Sequence, residues 1–134
     1  MNNLILPATD YTPKITFMAD TGIFEISGVS RPEDAAGFYE EPLKWLGDFE
    51  NAVLKSENRY EIQDLSFSIK MSYFNSSSSK YIIQLLRHVK NLNDQGLNIT
   101  LDWYYEEGDE KMMEDGEDLA EAVELEFNYI EMED

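Results

Sequence analysis

Two short runs of β-favouring residues, Ile15-Thr16-Phe17-Met18 and Ile23-Phe24-Glu25-Ile26-Ser27, flank the turn Ala19-Asp20-Thr21-Gly22. Their spacing predicts a hairpin, entered after Pro13 and left at Gly28. Farther on, Leu43, Leu46, Phe49, Ala52 and Val53 recur at helical spacing, which predicts a helix from about Pro32 to Leu54. Ser30 is read as its cap, with Glu33 three residues later completing a capping box. Pro32 suits a first turn. Pro42 sits too deep for that, and it is expected to kink or split the helix near Glu40.

The next segment alternates. Leu65, Phe67, Ile69, Met71 and Tyr73 share one face and Ser66, Ser68, Lys70 and Ser72 the other, so a strand is expected with one face on the core. After Asn75-Ser76-Ser77-Ser78-Ser79, the residues Tyr81, Ile82, Leu85, Leu86, Val89 and Leu92 form one apolar helical stripe, stopped at Gly96. Leu97, Ile99, Leu101, Trp103 and Tyr105 alternate as another strand. Met112, Met113, Leu119, Ala120 and Val123 predict a helix within Asp109 to Val123, with a weak point at Gly116. Leu125, Phe127 and Tyr129 predict a last strand at a sheet edge, and residues 131–134 an acidic, frayed tail. The order β-β-α-β-α-β-α-β implies an α/β fold: one domain over residues 1–134, with a mainly parallel sheet and an N-terminal hairpin.

Composition narrows the function. With 28 acidic and 10 basic residues the net charge is −18, which argues against nucleic acid and anionic membrane surfaces as partners. There are no cysteines, so disulfides and thiolate chemistry are excluded. Met1 to Ala8 lacks the basic start and apolar run of a signal peptide, and no stretch approaches a membrane span. These features lead to the expectation of a cytoplasmic protein.

The serine run at a strand-to-helix junction is the most informative candidate site. Free N–H groups and partial positive charge at a helix start suit a phosphate, and phosphoserine adds roughly −1.5 to −2 charges there. The plain alternative is an ordinary cap, but a cap needs one residue and five polar residues stand here. His88, the one histidine, reads as a partly exposed residue on a helix surface. The acidic series Asp109, Glu110, Glu114, Asp115, Glu117 and Asp118 does not match a calcium loop, and no nucleotide-binding motif occurs. No cofactor or metal site is expected. Trp103 and Tyr105 read as core, Tyr104 as a weak interface candidate.

Three stretches carry a family resemblance. They are Thr12-Pro13-Lys14-Ile15 with Glu25 to Glu33, Phe38-Tyr39 through Pro42-Leu43-Lys44-Trp45-Leu46, and Tyr73-Phe74-Asn75-Ser76-Ser77-Ser78-Ser79-Lys80. The chain resembles the SiaC-type regulatory phosphoproteins of bacteria, related in fold to STAS-domain anti-sigma factor antagonists. The resemblance covers nearly the whole chain and implies a STAS-like fold. It implies that Ser76 is the phosphoacceptor, with Ser77 and Ser78 as alternatives and Tyr73, Asn75, Ser77, Ser78 and Lys80 as partner contacts around it. It further implies a non-enzymatic partner-switching protein. A kinase adds the phosphate, a PP2C-type phosphatase removes it, and the unphosphorylated form activates a diguanylate cyclase, raising cyclic di-GMP and promoting biofilm. Two other readings are an anti-sigma factor antagonist and, in a different class, a small metal-dependent enzyme using the acidic face.

Overall fold

The computed structural model describes residues 1–55 and 64–133. Among them nine elements follow in chain order: β1 (Leu4–Leu6), β2 (Lys14–Met18), β3 (Ile23–Ser30), α1 (Ala35–Lys55), β4 (Asp64–Phe74), α2 (Ser76–Asp94), β5 (Asn98–Glu106), α3 (Glu110–Val123) and β6 (Asn128–Met132). They form one six-stranded sheet in the order β1-β2-β3-β4-β5-β6. β1, β2 and β3 pair antiparallel, and β3 through β6 pair parallel. Among the described residues each parallel step carries one helix in its crossover, the usual bridge between parallel neighbours.

One sheet face is buried under the helices. Leu65, Phe67, Ile69 and Met71 of β4 are fully buried, while Ser66, Ser68 and Lys70 between them remain partly open. The ring of Phe24 lies at the centre of the core, with centroids 5.0 Å from Phe17, 5.1 Å from Phe49, 5.5 Å from Trp45 and 5.9 Å from Phe67. Such edge-to-face and tilted pairs add to the area that each ring removes from water. No described helix is long and apolar enough to cross a membrane.

Several expectations are corrected. β1 has no counterpart in the sequence pattern, being only three residues long. Tertiary anchors hold it: Asn3 Oδ1 accepts the Ala19 N–H at 2.8 Å, and Trp45 Nε1 donates to the Asn2 carbonyl at 2.8 Å. Ser30 ends β3 and does not cap α1. The cap is Asp34, whose carboxylate accepts the Gly37 N–H at 3.0 Å, so the box with Glu33 is not formed. Pro42 lies inside α1 without splitting it. Its ring is buried, and Tyr39, Leu46, Phe49 and Val53 pack the same helix face into the core on both sides of it, which offsets the missing hydrogen bond. β6 starts only at Asn128, and it takes Glu131 and Met132 into the sheet edge where a frayed tail is expected. Asp134 lies outside the described residues.

Candidate functional site

The parallel strands β3 and β4 end side by side, and the serine run lies where they end. Ser30 of β3 pairs with Phe74 of β4, and the Asn75 N–H donates to the Ser30 carbonyl at 3.0 Å. The register slips just before this point. Gly28 faces Met71 but Val29 faces Tyr73, so Ser72 is an extra residue on β4. Gly28 meets this bulge with φ of 104°, a backbone shape that glycine takes at no steric cost. A bulge reverses the alternation. Tyr73 therefore turns outward, 49% exposed, and Phe74 turns inward against Trp103 at 6.1 Å. The core face expected for Tyr73 is corrected by that extra residue.

Asn75 supplies the helix cap. Its side-chain oxygen accepts the Ser78 N–H at 2.9 Å. The four serines that follow differ in their surroundings. Ser77 donates its hydroxyl to Asn75 Oδ1 at 3.1 Å, and Ser79 donates to the Ser76 carbonyl at 2.7 Å. Ser78 is fully buried. Ser76 is exposed, and among the described residues its hydroxyl has no hydrogen-bond partner. Lys80 is exposed one turn later, with Nζ 5.1 Å from the centroid of Tyr81.

Ser78 belongs to a buried chain of hydroxyls. Tyr39 of α1 lies 2.6 Å from Ser30 Oγ, Ser30 Oγ donates to Ser78 Oγ at 2.8 Å, and Ser78 Oγ donates to the Ser30 carbonyl at 3.2 Å. With Tyr39 donating to Ser30, each proton has an acceptor, and among the described residues no buried side-chain polar atom lacks a partner. The cluster ties α1, β3 and the first turn of α2 together. Its burial sets Ser78 apart from Ser76 and Ser77, which are exposed at the surface.

Burial also pushes the Tyr39 phenol above its ordinary value of 10.0, against the smaller opposing effect of the Ser30 and Ser78 hydroxyls beside it. A phenol raised in the folded state contributes stability below the unfolded value, and that contribution is lost as pH climbs through the folded value. Tyr39→Phe is expected to lower stability by about 1 kcal/mol at neutral pH, one hydrogen bond's worth. Its loss of stability above pH of about 10 should be shallower than wild type's. Urea unfolding at a series of pH values checks this, and parallel curves for the two proteins would remove Tyr39 from the account.

The remaining candidates lie elsewhere. His88 does more than decorate a helix surface. Its Nδ1 is 2.5 Å from Glu50 Oε2, and Asn91 Nδ2 donates to the other oxygen of that carboxylate, so the three residues bridge α1 and α2. Asp109 caps α3 by accepting the Met112 N–H at 3.0 Å, and Lys111 pairs with Asp115 at 2.9 Å. Among the described residues no group of three or more His, Asp or Glu side chains is placed to hold a metal ion. Tyr104 stands on the open sheet face with Lys70 Nζ 4.6 Å from its centroid. Sequence reasoning missed the buried partners Ser30 and Tyr39. The pattern Ser30…Tyr39…Ser78 has no periodic signature, and only the end of β3 beside the start of α2 brings it together.

Residues 6–132 match the sequence model of the SiaC family of regulatory phosphoproteins. The chain belongs to the SiaC family. An uncharacterised protein of Pseudomonas aeruginosa strain UCBPP-PA14 is 25% identical over 127 residues, covering 95% of this chain and 94% of that protein. The crystal structure of apo-SiaC from Pseudomonas aeruginosa shares the fold with a TM-score of 0.80 at 24% identity, covering 97% of this chain and 99% of that one. A SiaC chain in the crystal structure of the Pseudomonas aeruginosa diguanylate cyclase SiaD in complex with its activator SiaC superposes with a TM-score of 0.81 at 24% identity, over 96% of this chain and 99% of the other. The α/β fold expected from the sequence is the SiaC fold.

Proposed function

We propose that this protein is a non-enzymatic switch whose unphosphorylated form binds and activates a diguanylate cyclase in the cytoplasm, and that phosphorylation of Ser76 abolishes the binding. Cyclic di-GMP then rises, and biofilm formation with it, only while Ser76 is free. One observation carries the choice of acceptor. Of the four serines, Ser76 alone is exposed with a hydroxyl that bonds to nothing among the described residues, and the capping work is done by Asn75. Membership of a family of regulatory phosphoproteins supports the class of function, and the cyclase complex of a fold relative supports the class of partner.

The cycle needs two enzymes. A kinase transfers the γ-phosphoryl group of a nucleoside triphosphate to Ser76 Oγ; the hydroxyl proton is released and the nucleoside diphosphate leaves. A PP2C-type phosphatase hydrolyses the ester, returning serine and inorganic phosphate. The exposed Tyr73, the polar Asn75 and Ser77, and Lys80 surround the acceptor, so two negative charges there fall within any interface that covers it. Unpaired charge at such a contact costs several kcal/mol of affinity.

Ser76→Asp is expected to weaken cyclase binding at least about tenfold, equivalent to ~1.4 kcal/mol, and Ser76→Ala to bind like unphosphorylated wild type and resist the kinase. Calorimetry with the cyclase of the same cell, beside mass spectrometry of protein from that cell, reads both. Equal binding by all three proteins, or phosphate found only on another residue, moves the switch away from Ser76.

A further inference from the structure

Two cations that the chain brings to the Ser76 end of the sheet lie over tyrosine rings. Arg31 follows directly on Ser30, and its guanidinium carbon lies 5.2 Å from the ring centroid of Tyr11. Lys80 lies one turn after Ser76, its Nζ 5.1 Å from the ring centroid of Tyr81. The chain carries 28 acidic residues against 10 basic ones. Among the described residues neither cation is ion-paired with a carboxylate; Lys44, Lys70, Lys90 and Lys111 are paired, and Lys14, Lys55 and Arg87 are not. Asp34, close to Arg31 in sequence, is engaged with the Gly37 N–H.

We propose that Arg31 and Lys80 are the receptor for the phosphoryl group on Ser76, parked on tyrosine rings until it arrives. The proposal rests on Ser76 being the acceptor. The strand register supplies the geometry. Ser30 pairs with Phe74, and the Asn75 N–H bonds the Ser30 carbonyl at 3.0 Å. Arg31 and the segment Asn75-Ser76 therefore leave the sheet side by side. Lys80, at i+4, shares the helix face of Ser76. Both side chains are exposed and long, and on this proposal each swings from its ring to the phosphate.

The exchange is favourable in kind. A cation over an exposed ring gains little, whereas a charge-assisted bond from guanidinium to a dianionic phosphate is roughly twice as strong as a neutral hydrogen bond. Arginine also offers a fork that fits two phosphate oxygens. The loop that presents Tyr11 is fixed independently of the cation. The Arg31 N–H donates to the Tyr11 carbonyl at 2.8 Å, and Thr9 Oγ1 lies 2.6 Å from Thr12 Oγ1. Arg31 can therefore leave the ring without unfolding the loop. Phosphorylation then has two surface effects at once: the phosphate is covered by its own chain, and the 58% exposed Tyr11 ring loses its cation.

The test uses full-length protein with phosphoserine installed at position 76 by genetic code expansion, so it does not depend on any kinase. Phosphorus NMR follows the second ionisation of the phosphate. In wild type the midpoint is expected about one pH unit below that of the Arg31→Met/Lys80→Met double variant, because nearby cations favour the dianion. Each single variant is expected to recover part of the difference. The Tyr11 ring resonances are expected to shift on phosphorylation in wild type and stay fixed in Arg31→Met. Equal midpoints in wild type and double variant overturn the receptor, and a midpoint unmoved by Arg31→Met alone overturns the part of Arg31. Absence of phosphate on Ser76 in the native cell overturns the switch instead, and that result is distinct from either.

Discussion

Ser78→Asp is expected to destabilise the fold by about 3 kcal/mol or more, while Ser76→Asp, two residues earlier, leaves stability within about half a kcal/mol of wild type. The difference follows from where the two hydroxyls point. Ser78 is fully buried and bonded to Ser30, which in turn holds the Tyr39 hydroxyl. A carboxylate there brings charge into a site that offers one donor and no cation. The side chain must either stay ionised at high cost or take up a proton and crowd Ser30. Ser76 is exposed at the first position of α2, where a negative charge meets the free N–H groups of the helix start. Urea unfolding of both variants checks the contrast, and a Ser78→Asp protein with the wild-type midpoint would show that the hydroxyl cluster is open to water. Any loss of partner binding in Ser78→Asp then reports on the fold, and only the Ser76 variants report on the switch.

Gly116→Ala is expected to cost about 2–3 kcal/mol. An added Cβ would lie 2.5 Å from Trp103 Nε1 and 2.6 Å from its Cδ1. The indole is held on every side. Its Nε1 donates to the Met112 carbonyl at 2.9 Å, Phe127 stacks on it at 5.9 Å, and Phe74 meets it edge-on at 6.1 Å. Neither the ring nor α3 yields cheaply in so closed a packing. Helix propensity pulls the other way, since glycine to alanine inside a helix is worth up to about 1 kcal/mol. The sign of the change therefore decides between two physical accounts. A higher urea midpoint in the variant would mean that propensity wins and that the contact is loose. The glycine that the sequence marks as a weak point is here where α3 lies tight against the Trp103 ring of β5.

Much of this architecture is legible from periodicity alone. The alternation from Leu65 to Met71 fixes β4, and the stripe from Ile82 to Leu92 fixes α2, because burial on one face leaves a regular trace. The serine junction is legible too, as a position between a strand and a helix. What escapes the sequence depends on contacts between distant residues. Ser30 carries every local mark of a helix cap, but its hydroxyl is drawn to Tyr39 and Ser78 instead. Tyr73 keeps the parity of β4 on paper and loses it to one extra residue, Ser72. His88 is the partly exposed helix residue that its sequence predicts, but its bond to Glu50, which Asn91 shares, comes only from helix packing. The four serines look alike in sequence, and only burial and bonding separate them.

The spatial order of the strands is also their order of synthesis. Each strand after the first thus emerges beside a neighbour that is already made, and no strand waits for a later one to be inserted between it and its partner. Each parallel pairing then closes only one helical crossover, the least chain that parallel neighbours allow. Ser30, Tyr39 and Ser78 can join before β5 has left the ribosome. The regulated surface is therefore assembled from the earlier part of the chain, and the most acidic segment is laid onto a platform that already stands.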